Sequence, residues 1–155
     1  MNALIVLTLV KEIMTKQVVV MDSGMSVLEA SKMMAQKNVS CVIVSEDDTI
    51  VGIVTERDIV RKIVAEQFKP EEVLLENIMT TPLITVSQEA SVEEASKAMI
   101  TYGIRRLPVV DDGRLEGIVT ATDIAKHAAK EKDYADSRLN AIARIKSSEL
   151  PPSYA

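Results

Sequence analysis

A chain of 155 residues suffices for one domain of ordinary size or two very small units sharing a core, and is too short for a barrel enzyme with attached modules. Hydrophobic residues make up 47% and charged residues 26%, with only 5 glycines and 5 prolines, which excludes a disordered, collagen-like or low-complexity chain. A net charge of −5, with no tryptophan, one phenylalanine and three tyrosines, argues against both a broad phosphate-backbone footprint and an aromatic platform for single-stranded bases.

The apolar run Ala3 to Val10 has no basic segment before it and meets Lys11-Glu12 directly after it, so it reads neither as a signal peptide nor, at eight residues, as a membrane span. Val18 to Met21 is a short β-branched run and is expected to be a strand. From Ser26 to Lys37, Val27, Ala30, Met33 and Met34 recur at helical spacing, and Ser26-x-x-Glu29 forms a capping box at the start. Val42 to Val44 and Ile50 to Val54 flank the acidic stretch Glu46 to Asp48 as a hairpin, and another helix follows. Lys69 to Asn77, with Pro70 at a helix start, is a tether. Beyond it the order returns: a strand at Leu83 to Val86, a helix from Ser91 to Tyr102 capped by Ser91-x-x-Glu94, a hairpin of Leu107 to Val110 and Leu115 to Val119 around Asp111-Asp112-Gly113, and a helix. After Ala128 the composition turns charged. Leu139, Ile142 and Ile145 then repeat every three residues, which predicts a loosely attached helix over Tyr134 to Ile145 whose apolar stripe could cover the module or a partner subunit.

The recurrence is literal. Ile13-Met14-Thr15 returns as Ile78-Met79-Thr80, Glu29-Ala30-Ser31-Lys32 as Glu94-Ala95-Ser96-Lys97, Gly52-Ile53-Val54-Thr55 as Gly117-Ile118-Val119-Thr120, and Asp58-Ile59 as Asp123-Ile124. Every pair is offset by 65. Two copies are too few for a solenoid, and about fifty residues bury too little surface to stand alone, which points to a pseudo-symmetric pair packed sheet to sheet. The divisions are 10–68 for the first unit, 69–77 for the linker, 78–130 for the second unit and 131–155 for the C-terminal helix and tail.

The duplicated unit, with a Gly-Ile-Val-Thr-x-x-Asp run ending its third strand and Arg105-Arg106-Leu107-Pro108-Val109-Val110-Asp111 in its second, closely resembles the CBS domain, and two in tandem resemble a Bateman module. The resemblance covers about Val10 to Lys130. It implies a mixed α/β fold of two β-α-β-β-α units with clefts between them, in which such modules commonly bind AMP, ADP, ATP or S-adenosylmethionine and regulate other proteins. It also implies a disc-like homodimer formed through the outward helices, Ser26 to Lys37 and Ser91 to Tyr102 among them, and an unidentified regulated protein as partner.

The residues support that chemistry. Thr120-Ala121-Thr122-Asp123 places two hydroxyls and a carboxylate where a strand ends and a helix begins, beside backbone N–H groups and the positive end of the dipole. A carboxylate accepts well from vicinal ribose hydroxyls, and the guanidinium forks of Arg105 and Arg106 on the neighbouring strand suit phosphate oxygens. Pro108 completes this set, and the resemblance assigns its adenine wall to the first strand of the other copy, Val18, Val19 and Val20. The same residues also fit a helix cap, Thr120 at the N-cap and Asp123 in the first turn, and the two roles are compatible. The first copy keeps Thr55, Arg57 and Asp58, with Leu83, Ile84 and Thr85 as its implied adenine wall, but has Ser40 and Cys41 in place of the two arginines and Ile43 in place of Pro108.

Other chemistry is poorly supplied. One cysteine forms no internal disulfide, which suits a reducing, cytoplasmic compartment, and one cysteine with one histidine makes no zinc site without carboxylates. Cys41 reads as a small buried side chain and His127 as part of a solvated helix end, a poor nucleophilic pair without an orienting group. The methionines read as packing residues, and Glu46-Asp47-Asp48 as a hairpin turn. No enzyme, metal or resident cofactor is expected. The leading function is an adenine-nucleotide-binding regulatory module, the alternatives being a ligand-free dimerisation scaffold and a sensor of S-adenosylmethionine or an NAD-type ligand.

Overall fold

The computed structural model describes residues 7–131 together with Arg144. The C-terminal helix expected over Tyr134 to Ile145 lies, apart from Arg144, outside the described residues. The described residues fold as two compact units: one runs from Gln17 to Leu83, and the other joins the described residues up to Lys16 to those from Ile84 to Glu131. The segment preceding each copy of the repeat thus folds with the other copy.

In the unit from Gln17 to Leu83, β1 (Val20–Asp22) lies parallel to β2 (Cys41–Glu46), which pairs antiparallel with β3 (Thr49–Thr55) in a three-stranded sheet of order β1-β2-β3. Between β1 and β2 runs the helix Val27–Lys37. Its start is the expected capping box: Ser26 Oγ accepts from Glu29 N at 3.1 Å and Glu29 Oε2 accepts from Ser26 N at 2.8 Å. The acidic stretch is the hairpin turn, because Asp47 and Asp48 adopt φ of 49° and 61° as a two-residue turn of matching twist requires. After β3 the helix Glu56–Ile59 passes into a π-helical segment, Val60–Val64, where Ala65 N donates to Val60 O at 2.8 Å. Pro70 opens a 3₁₀ turn, Pro70–Glu72, and the short helix Leu75–Ile78 follows. The tether is therefore partly core. Leu75 is fully buried with Met21, Val27, Ala30, Met34, Val42, Val54 and Ile63.

The other unit takes the helix Val10–Ile13, the helix Val92–Tyr102, the antiparallel pair β4 (Arg106–Asp111) and β5 (Arg114–Thr120), and the helix Ala121–Lys130. Its core gathers Val10, Val92, Met99, Leu107, Val109, Val119 and Ile124. Leu83 to Val86 is not the expected strand. It makes one isolated parallel bridge, Val86 to Val109, with Val86 N donating to Pro108 O at 3.0 Å and Val110 N to Val86 O at 2.9 Å. In the first copy Ile43 N donates to Val19 O at 2.9 Å and extends the ladder. The residue at that register in the second copy is Pro108, which has no N–H for the Ile84 carbonyl, so the ladder stops.

A side chain reinforces the shortened ladder. Asp111, at the end of β4, accepts from Ser87 Oγ at 2.6 Å and from Gln88 N at 2.9 Å. The Ser87 hydroxyl first, and the Gln88 N–H second, hold the Asp111 carboxyl below its ordinary range. A carboxyl lowered in the folded state stabilises it at pH above the unfolded value, about 3.9, and that contribution is lost as pH falls through the folded value. Asp111→Asn should therefore lower the melting temperature at pH 7 and leave little difference from wild type near pH 2. A gap between the two proteins that does not shrink on acidification would remove this role.

Candidate functional site

Both strand-to-helix junctions have the same local geometry. At the end of β5, Thr120 is extended, with φ −118° and ψ 162°, and the helix begins at Ala121. Thr120 Oγ1 accepts from Asp123 N at 3.1 Å, while Asp123 Oδ2 accepts from Thr120 N at 2.9 Å and from the Thr120 hydroxyl at 2.9 Å. The capping role read from Thr120-x-x-Asp123 is thus present. One carboxylate oxygen, Oδ2, carries it. Asp123 Oδ1 accepts from none of the described residues, and Asp123 is half-buried with exposed Thr122 beside it.

The hairpin brings the arginines to this junction. Arg106 pairs in register with Thr120, and Arg105 O accepts from Ala121 N at 2.9 Å, so the arginine backbone flanks the first residue of the helix. Both arginines are half-buried and each already has a partner within the chain. Pro108 is buried in β4 opposite Ile118. Ile84 and Thr85 precede the Val86 bridge in the same unit, Ile84 packed against its core and Thr85 exposed.

In the unit from Gln17 to Leu83, Thr55 Oγ1 accepts from Asp58 N at 3.2 Å, and Asp58 Oδ2 accepts from Thr55 N at 2.9 Å and from the Thr55 hydroxyl at 3.0 Å. Glu56 N donates to Ser40 O at 3.0 Å, matching Ala121 N to Arg105 O. The difference lies at the second oxygen: Asp58 Oδ1 stands 3.1 Å from Lys62 Nζ. Arg57 is half-buried at the same helix start. Val18, Val19 and Val20 belong to this unit, with Val20 exposed, and so does Leu83. Lys62 was not singled out in the sequence, although its i, i+4 spacing from Asp58 is the signal that finds such pairs.

Cys41 is buried in β2 as expected. His127 is half-buried rather than on a solvated helix end, because it lies one turn beyond fully buried Ile124 and next to Ala128. Among the described residues no cluster of histidine, cysteine, aspartate and glutamate could hold a metal ion, and no helix is long and apolar enough to cross a membrane. A cavity of about 520 Å³ in the unit from Gln17 to Leu83 is lined by Lys62, Phe68, Asn77 and Ile78 among others, but by neither Thr55 nor Asp58.

Comparison with known proteins agrees with this architecture. An uncharacterized protein of Methanopyrus kandleri is 54% identical over 86 residues, which are 55% of this chain and 44% of that protein, so the chain spans less than half of that relative's length. Among solved structures, the CBS domain pair of protein MJ0100 in complex with 5′-methylthioadenosine and S-adenosyl-L-methionine is 34% identical, with a TM-score of 0.73 over 81% of this chain and 98% of that one. A hexameric CBS-CP12 protein from bloom-forming cyanobacteria is 32% identical, with a TM-score of 0.75 over 86% of this chain and 78% of that one. The pattern of the CBS domain matches twice, at residues 10–65 and 75–130, in the same order as the two helix, hairpin and helix repeats. By this double match and the shared fold, the chain belongs to the CBS domain family, as a tandem pair.

Proposed function

We propose that this chain is a regulatory module that binds an adenine nucleotide of the AMP, ADP or ATP type and passes its occupancy to a partner protein in the cytoplasm, without catalysing a reaction. The observation that supports this reading most is the half-buried Asp123 carboxylate, held by its cap through Oδ2 while Oδ1 accepts from none of the described residues, at a helix start flanked by Arg105 and Arg106. Asp123 takes the ribose, Thr120 and Thr122 line the turn, and the arginines face phosphate beside Pro108. Thr55, Arg57 and Asp58 form a weaker counterpart. The apolar residues Val18, Val19, Val20, Leu83 and Ile84, with Thr85, are proposed to contact adenine. The chain acts as a homodimer through its outward helices, on which Ile100 and Tyr102 are 39% and 51% exposed, and sedimentation as a monomer alone would exclude this.

A second reading is favoured by the relative that holds 5′-methylthioadenosine and S-adenosyl-L-methionine: an adenosyl ligand recognised without phosphate. A thermal-shift screen with AMP, ADP, ATP, adenosine, S-adenosylmethionine and NAD separates the readings, since a ligand at 100 times its Kd stabilises by about 2.7 kcal/mol. AMP is expected to raise the melting temperature more than adenosine at equal concentration, with added salt narrowing the gap. Equal shifts for the two would sink the phosphate role of the arginines, and no shift with any adenosyl compound would leave the ligand-free scaffold.

A further inference from the structure

The two junctions share their capping bonds and differ in what holds the second carboxylate oxygen. We infer that Lys62 closes the Asp58 site, so that the chain takes up one adenine nucleotide at Asp123 and opens its second site only when Lys62 is displaced. The inference rests on reading the aspartates as ribose contacts.

Three observations carry it. Lys62 Nζ stands 3.1 Å from Asp58 Oδ1 and donates to Ile78 O at 2.7 Å, so the ammonium is anchored at both ends. Ile78 is the last residue of the helix Leu75–Ile78, and its carbonyl has no acceptor role within that helix, which makes it a natural partner for a cation. Second, the Asp58 side chain is only 12% exposed, and its Oδ2 already accepts twice from Thr55. With Oδ1 ion-paired to the ammonium, a vicinal diol can reach that oxygen only in competition with Lys62. At Asp123 the equivalent oxygen accepts from no described residue. Third, Lys62 lies in the π-helical segment Val60–Val64, whereas the helix at the corresponding place in the second copy, Ala121–Lys130, is regular α-helix; such interruptions concentrate at functional positions.

An ammonium near a nucleotide site could instead serve the phosphate. Here one of its three protons is already given to the Ile78 carbonyl and its charge is paired with Asp58, and turning toward a phosphate would forfeit both. The first copy also has Ser40 and Cys41 where the second has Arg105 and Arg106, so a ligand displacing Lys62 meets Arg57 at the helix start but no strand arginines in return. An exposed ion pair is worth little by itself, and the carbonyl anchor and low exposure of Asp58 are what make this one a barrier.

Titration calorimetry with AMP tests the inference on the wild type, Asp123→Asn, Lys62→Met and the double variant. The wild type is expected to bind about one AMP per chain tightly and Lys62→Met to bind about two. In the Asp123→Asn background, where the Asp123 site is weakened, Lys62→Met should tighten the residual binding at least about five-fold. Lys62→Gln is the second variant if Lys62→Met does not fold, as judged by its melting curve. Two sites of equal affinity in the wild type, or a double variant that binds AMP no better than Asp123→Asn alone, would overturn the role of Lys62 while leaving the nucleotide reading intact. Absence of AMP binding in every variant would overturn the nucleotide reading and this inference with it, and wild-type binding that Asp123→Asn leaves unchanged would overturn Asp123 as the open site and so this inference.

Discussion

Asp123→Asn is expected to weaken AMP binding by about 2 kcal/mol or more, roughly thirty-fold, while moving the melting temperature of the free protein little. The reason is a division of labour within one carboxylate. Oδ2 receives the Thr120 N–H and hydroxyl and completes the cap, and the amide oxygen of asparagine can accept the same N–H. What asparagine lacks is the negative charge and the second acceptor, which the ribose hydroxyls would use. Asp123→Ala removes both functions, and should add a stability loss of about 1 kcal/mol to the loss of binding. Calorimetry and thermal melts on the two variants separate the roles. Full affinity in both would end the case for Asp123 as a ribose contact, and a large melting shift in Asp123→Asn would mean that the cap depends on charge.

Gly117→Ala is expected to destabilise the fold by about 1–3 kcal/mol, read as a lower urea midpoint at constant slope. A Cβ at Gly117 would lie 2.7 Å from Thr15 O and 3.0 Å from Met14 Sδ. Thr15 cannot retreat cheaply, since its N–H donates to Ile118 O and its carbonyl accepts from Ile118 N, both at 2.9 Å. The clash therefore falls on backbone. Gly52→Ala meets Met79 Sδ at 2.7 Å and Thr80 O at 3.0 Å, and the thioether can move, so a smaller loss is expected there. Alanine restricts the unfolded chain and offsets part of either cost. A neutral Gly117→Ala, or a larger effect at Gly52, would contradict the close approach of the leading segment to β5.

Much of the architecture was legible because it is local and written twice. The helix starts at Ser26 and Ser91 follow from side chains that bond to backbone three residues away, and the hairpins follow from apolar alternation around Asp47-Asp48 and Asp112-Gly113. The Thr-x-x-Asp cap at both junctions is of the same kind. The constant offset of 65 added what no single segment could, a second copy in the same register.

Interactions between distant segments were not legible, because nothing in local periodicity reports them. That the short segment before each repeat folds with the other copy depends on the room left by Gly52 and Gly117 for a crossing backbone, and in the sequence those glycines are only members of a repeated tetrapeptide. The loss of the strand at Leu83 to Val86 was decided by Pro108, some two dozen residues away, since a missing N–H matters only once the pairing side of β4 is known. The inequality of Asp58 and Asp123 likewise depends on the Ile78 carbonyl lying within reach of Lys62. Sequence thus determined the repeated unit, its caps and its turns through bonds spanning a few residues, while tertiary structure decided which segments complete each unit and where Lys62, paired with one of the two carboxylates, finds its carbonyl, because those outcomes rest on backbone groups brought together only by folding.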